Sequence, residues 1–219
     1  MSQDNHLLSA QVYRRIRDGI LCGKYAADTE LKEKTIGDEL GVSRTPVREA
    51  LRQLELEGLV SIIPNKGAYV VGVSLQDMHD IYEIRSLLEG LCAKWAATHI
   101  TPELLTELEE NICLSEFHES KQNFEQMVSL DNRFHEILYE ASGSRELKKV
   151  LKEYHEYLQR ARSVTLAQAQ RAKNSTQEHK MIADAIKNHD SASAERYAKA
   201  HIESKMLNMD KIGLEYLIK

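Results

Sequence analysis

The sequence predicts a mainly α-helical fold in two parts: short helices with one β-hairpin in residues 1–73, and an all-α antiparallel helical bundle in residues 74–219. The chain has 219 residues, a length that favours two domains over one. It contains only three prolines and ten glycines, so residues that break helices are rare. Strand-like segments are confined to residues 59–73, and apolar residues elsewhere recur at helical spacing.

Three helices are predicted before the hairpin. Apolar residues from Leu8 to Leu21 recur at helical spacing and define the first of them. The second runs from about Lys34 to Leu40 and ends at Gly41, because glycine has no Cβ and suits the left-handed backbone position that closes a helix. Ser43 is a candidate N-cap for the third helix, and Gly58 closes it.

The β-hairpin is predicted from two apolar segments, Leu59 to Ile63 and Ala68 to Val73. Between them, residues 64–67 (Pro-Asn-Lys-Gly) supply typical turn residues. Helix, helix, tight turn, helix and hairpin is the element order of a winged helix-turn-helix domain. Domains of the helix-turn-helix type place one helix in the major groove of DNA.

Residues 74–219 contain no further strand signal and predict helices only. Ser74 begins a helix of about 25 residues, and Thr101 begins the next. Further helices are predicted at 122–141, 145–170, 175–188 and 191–214, with Gly143, Asn174 and Asp190 near the breaks. Helices in soluble proteins average about 11–12 residues, so these are long. Long amphipathic helices with short connections are typical of antiparallel bundles.

Composition favours a soluble, cytoplasmic protein. The three cysteines are odd in number and form no CxxC pair, so we expect free thiols in a reducing compartment. No apolar segment approaches the ~20 residues of a membrane span, and we expect no membrane association. The net charge is −5, but residues 1–73 carry ten basic and ten acidic side chains, so the second part carries the whole excess of negative charge.

One face of the third helix carries a row of arginines. Arg44, Arg48 and Arg52 are spaced by four residues and therefore lie on the same face, opposite the apolar core positions. Guanidinium groups in this position pair with guanine or hold phosphate in the major groove. The alternative is a solvated charged face with Glu49 and Glu55 as local partners.

The stretch from Glu33 to Val71 resembles the GntR family of bacterial repressors and activators, with GVSRTPVREALRQLELEGLV at its centre and PNKGAYV after it. The resemblance implies contacts to bases or the adjacent backbone by Lys34, Arg44 and Arg48. It implies phosphate contacts by Ser43 and Thr45, and a wing tip in the minor groove formed by Asn65, Lys66 and Gly67. Many members have Pro-Ser-Glu before the second helix, where this chain has Leu-Lys-Glu-Lys.

The DNA partner is predicted to be a short palindromic operator in double-stranded DNA. A single winged helix reads few base pairs, which limits its specificity. We therefore expect the chain to bind its operator as a homodimer, one winged helix on each half-site.

Four polar side chains in the second part are predicted to face the bundle core. Asp131 and His135 are four residues apart on one helix, a suitable spacing for two ligands of one metal ion. His179 and His201 lie on the apolar faces of two later helices. Taken singly, each histidine is an ordinary core or surface residue. Together, the four side chains can converge on a divalent metal ion, and three imidazoles favour zinc or nickel over manganese.

Arg85 is predicted to lie on an apolar helix face, where an unpaired guanidinium is costly. Two interpretations stay open: it binds a carboxylate ligand, or it pairs internally with Glu89 one turn later. Further candidates for an effector pocket are Arg133, Arg162 and Ser175.

Segments around Tyr82, Asp131, His179 and His201 resemble the FCD effector domain of the FadR subgroup, over about residues 76–208. The resemblance implies a helical bundle that holds a divalent ion by Asp131, His135, His179 and His201. It also implies that the effector is a small carboxylic acid or sugar acid bound beside the metal. All four ligand positions are filled, which argues against the metal-free branch that binds acyl-CoA.

A metal-dependent hydrolytic enzyme is the main alternative from another functional class. The sequence offers no separate general base at a fixed offset from the four ligands, and none of its His-Glu pairs completes the HExxH motif. We therefore predict a regulator with no enzymatic activity. A dedicated metal sensor, whose signal is the ion itself, remains as a further alternative.

Overall fold

The structure is a computed structural model that describes residues 2–159 and 169–212 of the chain. The described residues form two compact units, one up to Leu75 and the other from Gln76 to Ile212. The end of the predicted helix 145–170 lies largely outside the described residues, as does Arg162.

Among its described residues, the first unit contains three helices and a small antiparallel sheet. Its elements are α1 (Ser2–Leu21), β1 (Glu30–Leu31), α2 (Glu33–Leu40), α3 (Arg44–Leu56), β2 (Val60–Ile63) and β3 (Gly67–Val70). Strand β3 lies between β1 and β2, with Ile62 opposite Ala68 and Leu31 also opposite Ala68. The predicted winged helix-turn-helix is confirmed, and β1 is an addition to the predicted hairpin.

The helices of the first unit pack through the apolar faces that the sequence pattern predicts. On α3, Val47, Ala50 and Leu54 are completely buried, and α3 packs mainly against α1. Gly41 ends α2 with a left-handed backbone at φ 66°. Ser43 stands at the N-cap of α3 with extended backbone, but its side chain makes no capping hydrogen bond. Because these residues bury one face of α3 in the core, the opposite face of the helix is exposed to solvent.

The second unit contains helices joined by short loops in its described residues. Its elements are α4 (Leu75–His99), α5 (Pro102–Ser120), α6 (Phe124–Ala141), α7 (Arg145–Tyr157), α8 (Ala169–Lys187) and α9 (Ser191–Ile212). Fully buried residues such as Phe134, Ile137, Leu151 and Ile186 form a continuous apolar core between the helices. The predicted all-α bundle is confirmed. No helix of the described residues is long and apolar enough to cross a membrane.

The predicted helix break at Asn174 is wrong, because α8 continues through this position. The neighbouring Ser175 and Thr176 are buried rather than exposed in a turn. The Thr176 hydroxyl donates to the Ala172 carbonyl at 3.2 Å, and the Ser175 hydroxyl lies 3.5 Å from Oδ1 of Asp131. The polar residues around Asn174 suggest a loop in the sequence. In the structure, Ser175 and Thr176 have hydrogen-bond partners inside the bundle, so the helix continues.

Candidate functional site

The surface of the first unit presents the residues that the sequence assigns to DNA. On α3, Arg44, Thr45 and Arg48 are exposed, and so is Ser43 before it. Lys34 is exposed on α2. The structure therefore leaves these side chains open to a ligand, and their contacts with DNA stay a prediction.

Arg48 is held by a carboxylate that the sequence argument does not identify as its partner. Its Nε and Nη2 each donate to a carboxylate oxygen of Glu33, both at 2.8 Å. These hydrogen bonds join α3 to α2 and hold the pKa of the Glu33 carboxyl below its usual value. In this conformation Glu33 accepts hydrogen bonds from the two guanidinium nitrogens that would contact guanine. To contact a base, Arg48 would have to break these hydrogen bonds or share its donors between Glu33 and the base.

The tip of the wing is a tight turn with exposed side chains. Asn65 has a left-handed backbone at φ 60°, and Gly67 has φ 121°, a conformation that side chains disfavour. A Cβ on Gly67 would lie 3.2 Å from a carboxylate oxygen of Glu30. Asn65, Lys66 and Gly67 are all exposed, so the turn projects one amide and one ammonium group from the sheet.

Four buried side chains converge in the second unit: Asp131 and His135 from α6, His179 from α8 and His201 from α9. One ligand atom of each lies within 4.8 Å of those of the others. Nε2 of His179 is 3.1 Å from Nε2 of His201 and 3.6 Å from Oδ1 of Asp131. The structure thus brings together all four residues that the sequence singles out, from three helices.

Two of these histidines are oriented by carboxylates behind them. Nδ1 of His135 lies 3.2 Å from Oε2 of Glu89, and Nδ1 of His201 lies 2.7 Å from Oε2 of Glu178. Because a carboxylate only accepts, we assign the ring protons to Nδ1, which leaves the Nε2 lone pairs for the centre of the cluster. Carboxylates behind histidines are the usual outer partners of metal ligands. The orienting roles of Glu89 and Glu178 were not predicted.

The third imidazole is fixed by packing. The ring of Phe134 stacks on His179 with a centroid distance of 3.8 Å and an angle of 8°. Burial lowers the pKa of both His135 and His179, and the neighbouring His201 lowers that of His179 further. These imidazoles are therefore neutral at neutral pH, the state in which they bind a metal.

The chemistry and spacing of the cluster fit a divalent ion. Ligand atoms on tetrahedral zinc, at bond lengths of about 2.0–2.1 Å, lie about 3.3 Å apart. The separations of 3.1 Å and 3.6 Å lie on either side of this value, and all four ligand atoms lie within 4.8 Å of one another. Asp131, His135, His179 and His201 are thus the residues that could hold a metal.

Lys205, which was not predicted as part of the site, also reaches the cluster. Lys205 lies on α9, one turn after His201, and is only 5% exposed. Its Nζ donates to Oδ1 of Asp131 at 2.8 Å and lies 3.2 Å from Nε2 of His135. The signal in the sequence was its spacing of four residues from His201 on the same helix face.

Arg85 is completely buried beside this cluster. Its Nη2 donates to Oε1 of Glu89 at 2.5 Å and lies 3.5 Å from Nδ1 of His155. Burial opposes the charge of Glu89, but His135 and Arg85 hold the pKa of its carboxyl below the usual range. Among the described residues, Nε and Nη1 of Arg85 have no hydrogen-bond partner. The internal pair thus forms and still leaves two buried donors.

The other candidate pocket residues have different positions. Ser175 contacts Asp131, as described above. Arg133 does not join the cluster: it is partly exposed, and its guanidinium pairs with Glu107 and Glu136. His155 is also buried, and its Nε2 lies 3.0 Å from Oδ1 of Asn132.

Comparison with known proteins assigns a family to each unit. Residues 8–70 match the family described as bacterial regulatory proteins, gntR family, and residues 80–204 match the FCD domain. Among solved structures, E. coli McbR/YncC has a similar fold, with a TM-score of 0.72 at 21% identity, covering 94% of this chain and 98% of that one.

The relatives found by sequence similarity are named as transcriptional regulators. The similarity covers most of this chain and most of each relative. The HTH-type transcriptional regulator YdhC of Bacillus subtilis (strain 168) is 28% identical over 193 residues, which are 87% of this chain and 86% of that protein. The HTH-type transcriptional repressor RspR of Escherichia coli (strain K12) is 26% identical over 196 residues, 90% and 86% of the two chains. These are names of regulators and not of enzymes. The chain belongs to the GntR family: it is a DNA-binding transcription regulator with an FCD effector domain.

Proposed function

We propose that the operator affinity of this regulator is controlled by a small carboxylic acid or sugar acid bound beside a divalent metal ion in the second unit. The observation that carries the proposal is the convergence of four buried ligand residues beside Arg85: Asp131, His135, His179 and His201. Among the described residues, Nε and Nη1 of Arg85 have no hydrogen-bond partner and can donate to a ligand. Metal ligands and an adjacent guanidinium together form a recognition site for a carboxylate.

The residues have separate roles in this site. Glu89 and Glu178 orient His135 and His201, and Phe134 holds the ring of His179. A divalent ion, when bound, would supply a positive centre that attracts the carboxylate of the acid. Three imidazoles and one carboxylate favour zinc or nickel among the common ions, with manganese as a weaker fit. Arg85 would hold the remote end or second oxygen of the acid by charge-assisted hydrogen bonds.

The acid should regulate DNA binding only when the metal is present. In an operator titration with zinc and a panel of small carboxylic and sugar acids, at least one acid should change the apparent Kd by several-fold to about a hundredfold. Chelation should abolish this effect, because the acid loses its main anchor.

Two results would redirect the proposal. An acid that acts equally well on chelated protein would remove the metal from effector binding. If no acid acts and zinc alone changes operator affinity, the protein is a metal sensor. The same titration therefore distinguishes regulation by an acid from regulation by the metal ion itself.

For the first unit, we propose that a homodimer reads a palindromic operator with Arg44, Arg48 and Lys34 at the bases, Ser43 and Thr45 at phosphates, and the wing tip in the minor groove. Symmetric half-sites spaced by a helical turn are the usual solution for paired helix-turn-helix domains. The operator can be identified by sequencing genomic DNA that co-purifies with the protein. A binding stoichiometry of two chains per site would support the dimer.

Arg48→Ala should weaken operator binding by roughly tenfold to a hundredfold and relax the base preference, since a bidentate contact discriminates between bases. Lys66→Ala should weaken operator and random DNA about equally, because a wing lysine acts mainly on the backbone. Binding of both DNAs is measured at one fixed salt concentration for each variant.

The matched control is Arg145→Ala, which removes an exposed arginine from the second unit. It should leave both affinities unchanged. Wild-type operator affinity in Arg48→Ala would show that α3 does not read the operator through this residue.

A further inference from the structure

Lys205 is an unusual component of a metal-ligand cluster, because it brings a fixed positive charge to the place where a cation would bind. Lysine is almost never buried without a partner. Here Nζ donates to Oδ1 of Asp131 at 2.8 Å and lies 3.2 Å from Nε2 of His135, with the side chain 5% exposed. The ammonium group thus contacts two of the four candidate ligands at once.

The hydrogen bonds identify which atoms the ammonium group occupies. Glu89 faces Nδ1 of His135, so the ring proton is on Nδ1 and the lone pair of Nε2 points toward Lys205. That lone pair and an oxygen of Asp131 are groups that a metal ion would need from these two residues. Lys205 and a divalent ion therefore compete for the same acceptors.

Charge balance leads to the same conclusion. Among the described residues, Arg85 and Lys205 supply two positive charges around the cluster, and Asp131, Glu89 and the half-buried Glu178 supply three negative charges. A divalent ion added while the ammonium group stays in place would put excess positive charge into a poorly solvated region, where like charges repel strongly.

We propose that Lys205 is an internal cation that occupies part of the metal site in the metal-free protein and is displaced when the divalent ion binds. The inference rests on the proposed metal site. The four-carbon stem of lysine is flexible, so Nζ can leave Asp131 and His135 without movement of the α9 backbone. Lys205 therefore bridges Asp131 and His135 before the metal arrives, and it weakens metal binding through competition.

The test is a zinc titration of the full chain against a competing chelator of known affinity, in the wild type, Lys205→Met and Lys205→Gln. Removal of the ammonium group should raise zinc affinity at least about tenfold in both variants. The thermal midpoint of the metal-free protein should fall, since Asp131 loses the ammonium group that offsets its buried charge. The rise of the midpoint on adding zinc should be larger than in the wild type. Lys199→Met, at an exposed position of the same helix, is the control and should change neither the zinc affinity nor the thermal midpoint.

The outcomes separate the inference from the proposed site. Zinc binding by the wild type with equal or weaker binding by both variants overturns the competition and leaves the metal site standing. Absence of zinc binding in all proteins overturns the metal site and the inference with it. Variants that fold only with zinc support the inference, because zinc then replaces the ammonium group. Variants that fail to fold even with zinc contradict it.

Discussion

His179→Ala should lose most of the bound metal and the thermal stability that depends on it. Protein purified without chelator should contain about one divalent ion per chain in the wild type, because four ligand atoms converge within 4.8 Å. An ion at a thousandfold its Kd stabilises the folded state by about 4 kcal/mol. For a chain of this size, that corresponds to a shift of roughly 10 °C in the thermal midpoint. Chelation should lower the wild-type midpoint by this amount and change the variant little.

Comparison with and without chelator is needed because His179 also packs in the core. Its ring stacks on Phe134, so His179→Ala lowers stability even without metal. The difference in thermal midpoint between the wild type and His179→Ala is therefore determined with and without chelator. Only the part of this difference that disappears with chelator reports on the bound ion. His99→Ala, at an exposed position on α4, is the control and should retain the ion. Full metal occupancy in the double variant His179→Ala/His201→Ala would rule out this site.

The sequence predicts this cluster because its information is local. Asp131 and His135 share a helix face through their spacing of four, and His179 and His201 lie on the apolar faces of their own helices. Burial of each apolar face then directs all four toward one core. The fold follows from the same periodicity, since long helices and one hairpin leave few alternatives. Metal binding itself stays a prediction.

The missed features depend on contacts between elements, which periodicity does not encode. Lys205 looks like a solvated residue in the sequence, and only the position of α6 gives its ammonium group a buried partner. The pair of Arg48 with Glu33 likewise joins two helices that the sequence treats separately. Strand β1 is only two residues long and pairs at the edge of β3, so it has no recognisable alternation. The wrong break at Asn174 has the same cause, since its polar neighbours find partners inside the bundle.

Arg85→Met should abolish the effect of the acid on operator affinity and also destabilise the metal-free protein. Arg85 and Glu89 are both almost completely buried, and removal of one partner of such a pair typically costs about 3–5 kcal/mol. Glu89 keeps Tyr139 and His135 as partners, which should place the loss toward the lower end of this range. The double variant Arg85→Met/Glu89→Gln should recover part of the stability, because no uncompensated charge then remains.

The loss of regulation should be separable from the loss of stability. Arg85 lies on α4, the helix that directly follows the wing in the chain, and its Nε and Nη1 are the proposed contacts to the acid. An acid shifts operator affinity only if it binds one arrangement of the protein better than another. The operator titration is therefore made with zinc, with and without the active acid, well below the midpoint of each variant. Arg133→Met, which removes a surface guanidinium paired with Glu107, is the control and should keep the response. If the acid acts on Arg85→Met as on the wild type, Arg85 has no part in the response. If Arg133→Met alone loses the response, the acid binds at the surface near α5 and not beside the metal ligands.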